Sequence, residues 1–246
     1  MNVRKIEMLR RKSWFGKLLR FPFRLIPATA VLPIISGPLL GKSWIKGSHN
    51  LSVLLGTYER VQTAAFSRAA QSASVFWDLG AHVGYYSLLF RKANPSGKII
   101  AFEPVSHNCE LFVKHMALNN VNHYNLHQRG VSDREGTLSF DSGKTTVAGR
   151  LSAKGNTSVE VITLSNWLSN RSIDMPQLIK MDIEGEEHKV LVDIRPMLES
   201  NKPSIFLSTH SEQLHHACLE LLTQCGYSFR PLDTQDLTTC RELMAY

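Results

Sequence analysis

The sequence predicts an α/β fold, a mostly parallel sheet with helices on both faces, on three observations. From Val75 onward, short apolar runs of strand length alternate with segments of helical period, the pattern of a sheet covered on both sides. Val75-Phe76-Trp77-Asp78-Leu79-Gly80-Ala81-His82-Val83-Gly84 reads as a strand, an acid, two glycines four apart and a helix start, the turn with which such sheets hold nucleotide-like ligands. Carboxylates then recur where apolar runs end, at Glu103 and Asp182, and in open sheets of this class the ligand lies at the carboxyl ends of the strands.

Taken in order, the chain begins with a basic arm. Residues 1–24 hold eight basic groups and one acid, and residues 1–19 match a basic helix with Ile6, Leu9, Trp14, Leu18 and Leu19 as a partial apolar stripe. Such an arm suits weak contact with an anionic membrane surface, or a packing arm with a solvated basic face. Leu18–Leu40 is apolar, yet Arg20, Arg24 and four prolines leave no uninterrupted spanning run, and the stretch is a poor signal-peptide core. Ile34–Ile45 suggests a β-hairpin turning at Gly37-Pro38. Its Gly41-Lys42-Ser43 lacks the upstream glycine of a phosphate loop, since Ser36 stands there. Asn50–Ala70 suggests a helix starting near Thr57, with Val61, Ala64, Ala65 and Phe66 inward and Tyr58 and Glu59 at the surface by default or, alternatively, toward the ligand.

In the alternating body, strands are expected at Val75–Asp78, Lys98–Phe102, Tyr124–His127, Thr137–Phe140, Val159–Thr163, Leu178–Asp182, Ile205–Thr209 and, last, Tyr227–Arg230. Helices are expected at Tyr85–Lys92, Asn108–Asn119 with Ser106 as N-cap, Leu164–Leu168, His188–Leu198 and Gln213–Cys225, the last closed by Gly226. The polar, glycine-containing Asp141–Asn156 reads as a loop near the ligand face. The expected division is residues 1–48 as arm and hairpin, and 49–246 as the sheet domain.

The net charge of +7 is confined to the arm, because the other 222 residues carry 20 basic and 20 acidic groups. A neutral body excludes broad nucleic-acid binding. Cys109, Cys218, Cys225 and Cys240 show neither CxxC pairing nor metal spacing, which suits reduced, buried thiols and a cytoplasmic protein, for which the arm, read first as a lid or packing arm, is the candidate for weak membrane-surface contact.

A dinucleotide turn needs a middle glycine for the pyrophosphate, and His82 occupies that place. Asp78 would repel phosphate but suits a cation. S-adenosylmethionine has no phosphate, and its ammonium and sulfonium are positive, so the turn favours it over NAD.

The segments Asp78–Ser87, Ala101–Pro104, Val131–Gly136 and Ile179–Glu187 resemble the successive motifs of the FkbM-type methyltransferases, and Gly37–Ile45 and Gly56–Glu59 resemble the lead-in carried by part of that family. The resemblance covers roughly residues 35 to 230. It implies a class I, Rossmann-like fold and methyl transfer from S-adenosylmethionine, commonly to a sugar or polyketide oxygen. His82 stands where the family usually has Asn, and Ser208 where many members show Glu. These departures bear on acceptor contacts.

Within that chemistry, Asp78, Gly80, Ala81, His82, Gly84 and Tyr85 are expected to shape the methionine side of the pocket. Glu103, oriented by Pro104, would take the ribose hydroxyls, and Val131, Ser132 or Asp133 would lie beside adenine. Asp182 is the first choice for general base or acceptor orienter, with Glu184 and His210 as alternatives. Glu184 is equally suited to capping the next helix. Asp182 and Glu184 could bind a cation, but no His is spaced to join them, and no metal is expected. The acceptor is a small molecule or glycan hydroxyl. The competing classes are an NAD-dependent oxidoreductase, which would need NAD affinity, and a non-catalytic Rossmann-like binding module, which would have no cofactor affinity.

Overall fold

A computed structural model describes residues 25–141, 150–151, 157–170 and 173–246; the basic arm, and with it the helix expected at residues 1–19, lies outside them. Strands β1 (Val31–Pro33) and β2 (Ser43–Ile45) form an antiparallel hairpin. There follow α1 (Arg60–Ala70), β3 (Val75–Leu79), α2 (Tyr85–Ala93), β4 (Lys98–Phe102), α3 (Ser106–Leu118) and β5 (Asn125–His127). Next come β6 (Gly130–Val131), β7 (Gly136–Asp141), β8 (Arg150–Leu151), β9 (Thr157–Ile162) and α4 (Leu164–Ser169). The chain closes with β10 (Leu178–Met181), α5 (Glu187–Asp193), α6 (Arg195–Asn201), β11 (Ser204–Ser208), α7 (Glu212–Gln224), β12 (Phe229–Pro231) and β13 (Glu242–Ala245).

The main sheet has seven strands in the order β12-β13-β11-β10-β3-β4-β5. Its pairings from β5 through β11 are parallel, and β13 runs antiparallel to both β11 and β12. Alternation along each central strand feeds two cores. Phe76, Ile99 and Leu178 point into one, with helices α1 to α3 and the hairpin. Trp77, Ile100 and Ile179 point into the other, with α4 to α7. These side chains are fully buried, each worth about 1.5–3 kcal/mol of transfer free energy. Strand order reverses beside β3, so the crevice at the ends of β3, β4 and β10 is the topological switch point.

The hairpin is tied to the body through α3. The Asn119 amide accepts from the Ser43 N–H at 2.9 Å and donates to the Ser43 carbonyl at 2.8 Å. His115 Nε2 accepts from the Ile45 N–H at 3.2 Å, while its Nδ1–H donates to the Val83 carbonyl at 2.8 Å. Burial lowers this imidazole to about 4, so it serves as a neutral bridge between the hairpin and the glycine turn.

Several expectations are corrected. The helix expected over Asn50–Ala70 begins at Arg60, because residues 51–56 are turns and Gly56, at φ +63, abuts the Ser36 carbonyl, where a Cβ would lie at 1.9 Å. Val61 consequently faces outward and is 56% exposed. Ser106 is the first helical residue rather than an N-cap; Val105 occupies the cap position, and its N–H is taken by Glu103 at 3.0 Å. The helix expected over His188–Leu198 is two helices meeting at Ile194, with Pro196 near the start of the second. Arg150–Leu151, expected in a loop, pairs with β7, in a separate sheet of order β6-β9-β7-β8; the other residues from 142 to 156 expected in that loop lie outside the described ones. The last strand is β13, which inserts between β12 and β11. All four cysteines are free and buried. No helix among the described residues is long and apolar enough to cross a membrane.

Candidate active site

The cleft is assembled at the turn after β3. Gly80 adopts φ +79, and a Cβ there would lie 1.9 Å from the Asp182 carbonyl, so only glycine lets the β3 and β10 ends close together. The Gly80 and Ala81 N–H groups both donate to the Phe102 carbonyl, at 3.0 and 2.9 Å, which locks the turn onto β4. His82 follows in the left-handed region at φ +48, which costs on the order of 1 kcal/mol for a non-glycine residue. Gly84 lies behind the cleft wall: its φ is +88, and a Cβ would meet Phe112 at 2.8 Å and Met116 at 2.9 Å.

Glu103 ends β4 and is 5% exposed. One carboxylate oxygen accepts from the His82 N–H at 2.8 Å. The other accepts from the Val105 N–H at 3.0 Å and the Asn108 amide at 3.1 Å. Burial raises its pKa, against the three hydrogen bonds that favour the ionised form. Beside it, the Asn108 carbonyl oxygen is buried with no partner. Asp78 is buried one strand away, accepts from the Ser87 hydroxyl at 2.6 Å, and is pushed up to about 6 by burial. Ala81, His82, Tyr85, Pro104 and Val131 line the same cleft. Ser132 does not reach its surface; it is buried and donates to Glu186 at 2.6 Å, and Glu186 lines the wall instead.

The other end is a charge cluster. His210, which follows β11, places Nε2 3.0 Å from Asp182 and 3.6 Å from Glu187, and Nδ1 3.5 Å from Glu184. Its pKa is raised to about 9, by the Asp182 hydrogen bond first, so it is protonated at neutral pH. Burial would raise the Asp182 carboxyl, but the Lys180 ammonium and His210 outweigh it and hold it well below the carboxylate range. Glu184 is half-buried, at φ +57, with its pKa raised by desolvation. It does not cap the next helix. Nor does any other side chain: Glu187, the first residue of α5, instead ties down the loop before the helix, accepting from the Ile183 N–H at 3.0 Å and the Gly185 N–H at 3.0 Å.

Asp182, Glu184 and His210 offer ligand atoms within 4.8 Å of one another. The sequence spacing that offered Asp182 and Glu184 no His partner is corrected here, because the imidazole arrives from the neighbouring strand.

Sequence reasoning missed Lys180. It is 2% exposed, lines the cleft, and donates to Asp182 at 3.3 Å and to the Ser208 hydroxyl at 2.5 Å. A lone lysine inside the apolar Leu178–Met181 run was the available signal. His49 was also missed: it lines the cleft, stands 4.8 Å from the Tyr58 ring and 5.4 Å from His82, and is lowered to about 4 by burial and by its imidazole neighbours. No local pattern marks it. Tyr58, for which the sequence makes surface placement the default, lines the cleft, while Glu59 accepts from the Tyr86 hydroxyl at 2.5 Å.

Strand order, the glycine turn and the buried acid at the end of β4 define a class I methyltransferase fold. Its solved likenesses include a SAM-dependent methyltransferase from Agrobacterium tumefaciens, with a TM-score of 0.55 at 12% identity over 92% of this chain and 72% of that one. The model of the methyltransferase FkbM domain matches residues 78–229, more than half of the sequence, and the chain belongs to that family. Similar proteins include Methyltransferase 1 of Beauveria bassiana, 25% identical over 138 residues, 46% of this chain and 55% of the relative. The hexuronic acid methyltransferase AglP of Haloferax volcanii is 23% identical over 133 residues, 53% of this chain and 54% of the relative. The chain thus spans about half the length of these relatives.

Membership of the FkbM methyltransferase family implies S-adenosylmethionine as the cofactor. The cleft's own chemistry fits it: Glu103, with three hydrogen bonds taken, keeps one acceptor position for a ribose hydroxyl, the buried Asn108 oxygen beside it has no partner, and Asp78, Asp182, Glu184 and Glu186 line the wall with Glu103.

Proposed function

We propose that this methyltransferase acts on a hydroxyl of a sugar or other small-molecule or glycan acceptor. The observation that carries the reading is the contact of Gly80 with Asp182, which joins the turn to Asp182 and Glu184 within one cleft, with His210 hydrogen-bonded to Asp182. The 23% identical hexuronic acid methyltransferase supports a sugar acceptor.

When bound, S-adenosylmethionine supplies an activated methyl on a sulfonium. In this reading Glu103, with Pro104, takes a ribose hydroxyl at its one remaining acceptor position, and Val131 borders the adenine. Asp78, Gly80, Ala81, His82 and Tyr85 enclose the methionine tail, with Gly84 setting the helix behind them and Ser132 holding Glu186 in the wall. Asp182 orients the acceptor hydroxyl, since alignment supplies most of the acceleration of an in-line displacement. Held low by Lys180 and His210, Asp182 is a weak base at neutral pH, and Glu184, with its raised pKa, is the better-matched proton acceptor. Protonated His210 holds both carboxylates in place.

The full chain, given S-adenosylmethionine and p-nitrophenyl glycosides of glucuronic acid, galactose and rhamnose in parallel, should form S-adenosylhomocysteine with at least one, and an O-methyl sugar by mass spectrometry and NMR. Methyl found only on nitrogen or protein would contradict the reading.

A further inference from the structure

Lys180 is an ammonium buried in the cleft wall, and such a charge persists only with matched partners. Asp182 is one. The second comes from beyond the family-matched residues 78–229: Ser208, which accepts from Lys180 at 2.5 Å, donates onward to Glu242 of β13 at 2.7 Å. Ser208 and Glu242 are direct register partners in the antiparallel β11–β13 pair. The groups acting on Glu242 are Lys180, Asp182, Glu59 and the Ser208 hydroxyl. The Lys180 ammonium also sits 5.3 Å from the Tyr86 ring centroid, and Tyr86 is in turn held by Glu59 and Gln62.

We propose that Glu242 is a positioning residue: from the last strand it holds the Lys180 ammonium through Ser208 and so fixes the Asp182 carboxylate against His210. The proposal rests on the reading of Asp182 as the acceptor-side carboxylate, but its geometry can be tested without an acceptor. With Glu242 neutral, the whole pull of Lys180 falls on Asp182, which turns from His210; the imidazolium then loses its closest counter-charge.

The test is an NMR titration of the histidine side chains of the full chain, with His210 assigned through His210→Gln. In the parent the His210 midpoint should lie well above the ordinary imidazole value, at about 9. In Glu242→Gln it should fall by roughly half a unit or more, as expected for loosening one charge partner. The swap Ser208→Glu with Glu242→Ser, which moves the carboxylate to the opposed register position, should return it to the parent value. A merely structural Glu242 would lower the melting temperature and leave the midpoint unmoved, and that result overturns the proposal. If Glu242→Gln does not fold, the swap decides alone: a parent-like midpoint supports the proposal, while a lowered midpoint or a swap that fails to fold contradicts it. Calorimetry with S-adenosylmethionine on the same samples separates failure of the cofactor site from failure of this linkage.

Discussion

The two ends of the cleft are built by opposite means. At the Glu103 end, one carboxylate is fixed by two backbone N–H groups and an amide, all from residues 82–108 and close in sequence. At the Asp182 end, the carboxylate is fixed by side-chain charges drawn from separate strands, with Lys180 on β10 and His210 after β11. Backbone and amide donors carry no titratable or screened charge of their own, whereas a charge cluster responds to pH and salt through every member. The contrast teaches that one end suits a constant cofactor and the other a proton-handling step.

The comparison can be broken at its joint. Gly80→Val puts a branched side chain at φ +79 into the Asp182 carbonyl, and should cost at least about 3 kcal/mol of stability or prevent folding, read by denaturant unfolding. Asp182→Asn should retain S-adenosylmethionine affinity by calorimetry while losing about 100-fold or more in turnover on whichever glycoside is methylated; unchanged turnover would move the acceptor role to Glu184 or His210. Next in size, Glu184→Gln should lower turnover by roughly ten-fold or more with cofactor affinity unchanged. The smallest effect concerns stability against pH. His210 has its folded pKa raised from 6.5 to about 9, so its contribution is complete below 6.5 and is lost as pH rises through about 9. The melting temperature should decline over that window, and less so in His210→Gln; equal declines would remove His210 from the charge cluster.

The Glu103 end was legible in the sequence because its parts are local: the strand, the glycines and the acid follow one another within 26 residues, from Asp78 to Glu103. The alternation of Phe76 with Trp77 and of Ile99 with Ile100 likewise foretold a sheet buried on both faces. The Asp182 end was legible only in part. Asp182, Glu184 and His210 could each be named, but their meeting depends on β10 lying beside β11, which no spacing records. Lys180 was passed over because charged residues on buried strands are rare. The fine boundaries failed where nonlocal contacts decide them: Gly56 against Ser36 delays α1, and β13 inserts into the sheet after the apparent last strand.

In the proposed reading Glu103 anchors S-adenosylmethionine at an end of the cleft built differently from the acceptor end. Isothermal titration of the full chain with S-adenosylmethionine, in the parent and in Glu103→Ala, tests it most directly. Saturable binding in the parent, weakened by about 10- to 100-fold in Glu103→Ala, is the predicted result for losing a buried charge-assisted hydrogen bond to a ribose hydroxyl. Equal affinity in the two proteins would contradict the account.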